Sequence, residues 1–251
     1  MNNRKGINVR KLAIIGVLGA ISTVLGMTPL GFIPVGPTRA TIMHIPVIIG
    51  AIMEGPVVGS FVGLIFGLFS IFQAITNPTP VSFVFLNPLV SIVPRVLIGI
   101  VSYYVYDFFK KMGNKKTKGF LFILWAGIIF YLGFGIYKNI IAAGSIWINL
   151  MNIGLLVLSL VLAYLSLFKY KNVSLDLMIS SIVGTLTNTV GVLTITYIIY
   201  AERFVNALGQ NPEAARKVIV GVGIANGIPE TIIAIIIVTC VVNALKRGKR
   251  E

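Results

Sequence analysis

The sequence predicts an all-α fold, a polytopic transmembrane helical bundle, and three observations carry that expectation. The 251 residues are 57% hydrophobic and only 11% charged, with a mean hydropathy of +0.95, whereas a soluble domain carries about 25% charged residues. Apolar runs of the roughly 20 residues a helix needs to cross a bilayer recur along the chain. They are continuous, without the alternation of a transmembrane barrel strand. The basic residues are also sorted. With the N-terminus inside, Arg4, Lys5, Arg10, Lys11, Lys110, Lys111, Lys115, Lys116, Lys118, Lys169, Lys171, Lys246, Arg247, Lys249 and Arg250 fall on the cytoplasmic side. Arg39, Lys138, Arg203, Arg216 and Lys217 fall outside, and Arg95 lies within the membrane. Fifteen against five follows the positive-inside rule. The net charge of +14 is therefore read as topology. No basic face interleaved with aromatics points to nucleic acid. The expectation is a multi-pass protein of the plasma membrane with both termini cytoplasmic.

Eight spans are predicted, at about 11–28, 40–54, 56–76, 86–109, 119–137, 146–168, 175–200 and 217–245. The first runs past a signal-peptide core without a small-x-small cleavage site, so it is read as a retained helix. Its Ala13, Gly16 and Ala20 form a small-residue face that either packs internally or meets a partner helix. Residues 28–39, TPLGFIPVGPTR, read as a compact external loop. The second span, short, opens with His44 and Pro46 and gives way after Glu54-Gly55-Pro56 to the third. There GPVVGSFVGLIFG repeats Gly55, Gly59, Gly63 and Gly67 at every fourth residue. Such residues share one helix face and make a smooth groove for another helix.

A second external loop, TNPTPVSF at 76–83, serves either as a lid or as an ordinary turn. In the fourth span NPLVSIVPRVLIG sets Asn87, Ser91, Arg95 and Gly99 at the same interval of four. The fifth and sixth spans form a hairpin, 119–168, whose polar groups are Lys138, Asn139, Asn149 and Asn152; its removal would leave the topology of the rest unchanged. Residues 201–217 are expected outside as a short helix, with Asn211-Pro212 opening a turn. The whole reads as a single integral membrane domain, 1–251. No internal repeat supports an inverted-repeat transporter.

The polar residues inside the spans are the candidates for function. A charge at helix-centre depth costs about 2.5–3.5 kcal/mol on insertion scales and faces a cavity or a partner. Arg95 therefore either offers positive charge to a carboxylate or phosphate, pairs with Glu230, or caps carbonyls. Pro94 leaves the Val90 carbonyl without its helical donor. In NGIPETIIA, Asn226 and Glu230 share a face, and Pro229 frees the Ala225 carbonyl. Glu230 binds a ligand hydroxyl or amine, or neutralises Arg95. The seventh span aligns Ser181, Gly184, Asn188, Gly191 and Thr194, with Thr187 adjacent. Asn188 offers donors and an acceptor to an amide or hydroxyl, or bonds between helices. The substrate-binding set is Asn87, Ser91, Arg95, Thr187, Asn188, Asn226 and Glu230.

Other chemistry finds no support. Lone Cys240 and lone His44 argue against an intrachain disulfide, a thiolate cluster and a zinc site, which needs three or four ligands. His44 reads as structural ahead of proton shuttling. With no nucleophile elbow, paired carboxylates or phosphate loop, no enzymatic activity, cofactor or self-powered ATP use is expected.

Five segments carry a family likeness: the first span with its small-residue face, TRATIMHIPVIIGAIMEGPVVGSFVGLIFG (38–67), NPLVSIVPRVLIG (87–99), GTLTNTVGV (184–192) and NGIPETIIA (226–234). In this order they resemble the substrate-binding S component of an energy-coupling factor (ECF) vitamin transporter, over roughly two thirds of the chain. The resemblance implies a six-helix unit that binds a vitamin with high affinity from outside. It also implies docking on a transmembrane T subunit carrying two cytoplasmic ATPases, and toppling in the bilayer to release the vitamin. The docking face would be Ala13, Gly16 and Ala20, where Gly16-x-x-x-Ala20 approximates the family's Ala-x-x-x-Ala. The hairpin 119–168 departs from six helices and reads as an insertion. The Pro-Arg pair resembles one shared by members with different vitamins, which favours an architectural part for Arg95. Pantothenate, acidic and polar, suits Arg95, Asn188 and Glu230 best, with riboflavin, folate, a pyridoxine-type vitamin and cobalamin open. The alternatives are an ion-coupled secondary transporter using Glu230 and His44, and a membrane enzyme.

Overall fold

The computed structural model describes residues 9–35, 38–141, 146–164 and 175–248. These form α1 (Val9–Met27), β1 (Phe32–Val35), β2 (Thr38–Thr41), α2 (Ile45–Glu54), α3 (Pro56–Thr76), α4 (Pro88–Ser91), α5 (Val93–Met112), α6 (Asn114–Ile141), α7 (Ile146–Tyr164), α8 (Leu175–Ala207) and α9 (Ala215–Gly248). Among the described residues, six helical spans are long and apolar enough to cross a membrane: Val9–Met27, Pro56–Thr76, Pro88–Met112, Lys116–Ile141, Leu175–Ala207 and Pro212–Gly248. Of the basic residues used for topology, Arg4, Lys5, Lys169, Lys171, Lys249 and Arg250 lie outside the described residues, as do 142–145 and 165–168 of the hairpin.

The second of the eight expected spans is helical over less of its length than the sequence suggests. The run read as a second span is divided: Ala40 and Thr41 belong to β2, antiparallel to β1, with Phe32 opposite Thr41 and Ile33 opposite Ala40. The helix starts only at Ile45. Pro46 sits in its first turn, where a missing N–H costs nothing, and Gly55 ends it with φ +101°. Ten residues give about 15 Å of helix, yet the chain still returns along this segment: Arg10 at the start of α1 meets Glu54 at the end of α2, and Gln73 near the end of α3 bonds Gly26 near the end of α1. α7 is described over Ile146–Tyr164, and residues 165–168 of the sixth expected span lie outside the described residues. The hairpin also corrects the loop expected at 28–39, since residues 32–35 and 38–41 pair as strands.

The chain divides into two compact units, Met1–Asp107 with Leu177–Glu251, and Phe108–Asp176. The second holds α6 packed on α7, where Asn139 Nδ2 donates to Asn149 Oδ1 at 2.9 Å. That bond satisfies two amides among apolar side chains, where an unpaired polar group is costly.

In the first unit α2 is buried from Ile45 to Ile52, packed by α1, α3 and α9. Val47, Ile48, Val58 and Val62 are fully enclosed. The two four-residue rows seen in the sequence prove to be the two sides of one antiparallel helix contact. Gly59 lies on Gly99, Gly63 on the Arg95 carbonyl, and Gly67 on Ser91 and Ile92. A Cβ at Gly59 would stand 2.9 Å from the Gly99 Cα, and one at Gly67 2.7 Å from the Ser91 carbonyl oxygen. Between membrane helices lipid offers no hydrophobic drive, so this close backbone approach supplies the packing energy. Gly55 is the exception in its row: no atom stands within 4 Å of an added Cβ, and its positive φ makes the turn between α2 and α3.

Candidate functional site

α3, α5, α8 and α9 line a cavity of about 200 Å³ together with the β-hairpin and residues 77–85. It exceeds the roughly 150 Å³ apolar cavity that takes up benzene. Phe66, Phe69, Val84, Val192 and Phe204 supply apolar wall, and Arg95, Asn188, Thr189, Thr196, Asn226 and Glu230 supply polar points.

Arg95 is held from several sides. Pro94 has no N–H for the Val90 carbonyl, and Arg95 Nη1 fills that role at 2.6 Å. The guanidinium also lies over the rings of Phe66 and Phe85, 5.1 and 5.5 Å from their centroids. Such contacts gain strength when desolvated, and Arg95 is only 4% exposed. Its Nε has no hydrogen-bond partner among the described residues. One cation thus repairs a broken helix and keeps a donor in reserve on the cavity wall.

Glu230 does not form an ion pair with Arg95. Its Oε1 accepts the Thr41 backbone N–H at 2.7 Å and its Oε2 the Thr189 hydroxyl at 2.9 Å. These charge-assisted bonds tie α9 to the β-hairpin and to α8. Asn226, one turn earlier on α9, also lines the cavity. On α8, Asn188, Val192 and Thr196 reach it at steps of four, with Thr189 and Leu193 beside them. Asn188 is 4% and Thr196 1% exposed, and Asn188 Oδ1 and Thr196 Oγ1 lack partners among the described residues.

Three of the expected binding residues are not on the cavity wall. Asn87 Oδ1 caps α4 by accepting the Leu89 N–H at 3.0 Å, and its Nδ2 donates to the Tyr200 hydroxyl at 3.2 Å. Ser91 donates to the Phe85 carbonyl. Thr187 donates to the Val183 carbonyl of its own helix at 2.7 Å. His44, fully buried, pairs its Nε2 with Thr185 Oγ1 at 3.0 Å, also off the wall. Ala13, Gly16 and Ala20 are exposed on α1, while Ile15, Gly19, Ser22 and Gly26 face inward. A Cβ at Gly16 would meet nothing within 4 Å.

The sequence reading passed over Thr41, Phe66, Gln73, Thr189 and Thr196, all on the wall. Two had a signal. Thr196 continues the four-residue interval from Asn188, and Gln73 is an amide in an apolar span, donating to the Gly26 carbonyl at 3.1 Å. The cavity's loop end is fastened to α8 at Tyr200, which leaves helical geometry (φ −132°, ψ 17°). Phe83 meets its ring edge-on at 5.7 Å, and Arg203 stacks on Phe83 at 4.1 Å.

Apolar spans around a small cavity with buried polar points define a multi-pass membrane protein with an interior suited to a solute. Residues 10–136, just over half the chain, match the model of the ECF transporter substrate-specific component, and the chain belongs to that family. Among curated proteins it is 36% identical over 94 residues to the pantothenic acid transporter PanT of Lactococcus lactis, covering 32% of this chain. It is also 36% identical over 97 residues to the pantothenate transporter PanT of Leuconostoc mesenteroides, covering 38%. The chain spans 46% of the length of each of these relatives.

Proposed function

We propose that this chain is the pantothenate-binding S component of an ECF-type importer. It delivers the vitamin to a T subunit carrying two cytoplasmic ATPases. In this reading it lies in the plasma membrane with both termini cytoplasmic. A six-helix core (α1, α2, α3, α4 with α5, α8 and α9) binds the vitamin, and the hairpin 119–168 is an insertion. Ala13, Gly16 and Ala20 form the docking face, which their exposure supports.

The observation that carries the reading is the pairing of an unsatisfied donor, Arg95 Nε, with an unsatisfied acceptor, Asn188 Oδ1, in a largely apolar box. A buried polar atom without a partner costs about 1–3 kcal/mol, and a complementary ligand recovers that cost on binding. Pantothenate brings a carboxylate for the guanidinium, an amide for Asn188, a secondary hydroxyl for Asn226 or the carboxylate of Glu230, and a gem-dimethyl group for the aromatic wall. The names of the curated relatives point the same way. Arg95 is then both scaffold and ligand contact, since its Nη1 bond to Val90 leaves Nε available. An ion-coupled secondary transporter has less support, because His44 is bonded to Thr185 away from the wall that carries Glu230.

The test is isolation from the native membrane, with mass spectrometry of proteins and small molecules retained. Co-purifying T subunit, two ATPases and pantothenate is the expected result. Proton-dependent uptake by the lone chain, with no such partners retained, would overturn it.

A further inference from the structure

The unpartnered polar atoms of the cavity are not gathered at one depth. Gly191 of α8 lies against Pro94, where a Cβ would stand 3.0 Å from the proline Cβ. Thr189 is bonded to Glu230. Asn188, Arg95 and Glu230 therefore share one level. Thr196 is eight residues beyond Asn188 along α8, about 12 Å at 1.5 Å per residue, toward Tyr200 and the loop end. Thr196 is 1% exposed and lines the cavity, and its buried hydroxyl has no partner among the described residues. Between the two levels α8 presents Val192 and α3 presents Phe69 to the same space.

We propose that Thr196 is a specificity-determining residue, reading a hydroxyl at the far end of an extended ligand whose acid end lies at Arg95 and Asn188. This deepens the function proposed above and rests on it. The ligand class it selects is a linear carboxylic acid with a branched apolar middle and a hydroxyl about 10 Å away. Pantothenate has that form: eight bonds separate its carboxyl carbon from its terminal hydroxyl oxygen, about 10 Å when extended. A hydrophobic slot alone rejects neither shorter acids nor deoxy analogues strongly, whereas a buried group built to hydrogen-bond a hydroxyl discriminates against ligands lacking it.

The test is a cycle of Thr196→Val against an analogue of pantothenate whose terminal CH2OH is a methyl group, each measured by calorimetric titration of the purified full chain. Thr196→Val keeps the shape and removes a buried unpartnered hydroxyl, so the ligand-free melting temperature should not fall. Affinity for pantothenate should drop about three- to tenfold, and Thr196→Ser should restore it. The analogue should lose a similar factor on the wild type and little on Thr196→Val. If the wild type binds pantothenate but Thr196→Val binds it equally well, or the analogue loses as much on the variant, the inference fails alone. A wild type that binds no pantothenate overturns the reading beneath it, and the inference with it.

Discussion

Gly63→Ala should loosen the bundle and the cavity together, because Gly63 sits where α3 touches the backbone beside Arg95. An alanine Cβ there would fall on the Arg95 carbonyl carbon and oxygen and within 3.2 Å of the Val96 nitrogen. All three are main-chain atoms, so no rotamer change relieves the clash; the two helices must separate. Overpacking of this kind costs about 1–3 kcal/mol, and in a chain of this size each kcal/mol lowers the melting temperature by about 2–4 °C. The expected drop is roughly 2–12 °C. Affinity should fall as well, since the Phe66 ring on α3 lies against the guanidinium that α5 carries. Fluorescence-monitored unfolding in detergent, followed by ligand titration, measures both. Gly16→Ala, open on every side, is the matched control and should change neither. A Gly63→Ala protein with wild-type melting and wild-type affinity would refute the contact between the two four-residue rows.

Other outcomes follow from the same geometry. Asn188→Ala, which removes a 4% exposed amide whose Oδ1 has no protein partner, should weaken ligand binding about three- to tenfold without loss of expression; equal affinity would make Asn188 structural. Glu230→Gln keeps the shape but turns two charge-assisted bonds into neutral ones, a loss of about 1 kcal/mol or more. It should speed hydrogen exchange at the Thr41 amide, the group Glu230 accepts, and unchanged exchange would sink that assignment. Gly16→Leu should leave the melting temperature and vitamin affinity of the isolated protein unchanged while reducing co-purification with the T subunit. Undiminished assembly would remove the docking role from that face. Arg10→Ala breaks a 2.7 Å ion pair to Glu54, but Arg10 is 62% exposed; melting should shift by no more than about 4 °C, as exposed pairs contribute at most ~1 kcal/mol.

Much of the frame was legible because membrane helices write their contacts at fixed intervals. The rows Gly59-Gly63-Gly67 and Ser91-Arg95-Gly99 were visible as four-residue repeats. What spacing did not reveal was that they face each other, since a single sequence holds no pairing information. The β-hairpin was hidden because Pro34 and Gly36-Pro37 read as turn formers, while apolar Phe32, Ile33 and Val35 were too few to show an alternating pattern. That hairpin took Ala40 and Thr41 from the expected second span, so its helix begins only at Ile45. Asn87 and Ser91 were placed on Arg95's stripe by interval alone. Pro88 starts a one-turn helix, however, and their polar groups are used to cap and join it. Thr187 was named as Asn188's neighbour and Thr189 and Thr196 were passed over, although the interval from Asn188 runs to Val192 and Thr196; Thr187 and Thr189 both donate to their own helix, and Thr189 also reaches Glu230. Partner choice was equally beyond the sequence: two opposite buried charges suggested a pair, yet Arg95 found a proline-freed carbonyl and Glu230 a strand amide.

The most direct test of the account is equilibrium titration of the purified chain with pantothenate beside riboflavin, folate, a pyridoxine-type vitamin and cobalamin, repeated with Arg95→Gln. The account predicts submicromolar binding of pantothenate alone, and a loss of tenfold or more in Arg95→Gln as a buried charge-assisted contact disappears. Preference for another vitamin, or full affinity without the arginine, would contradict it.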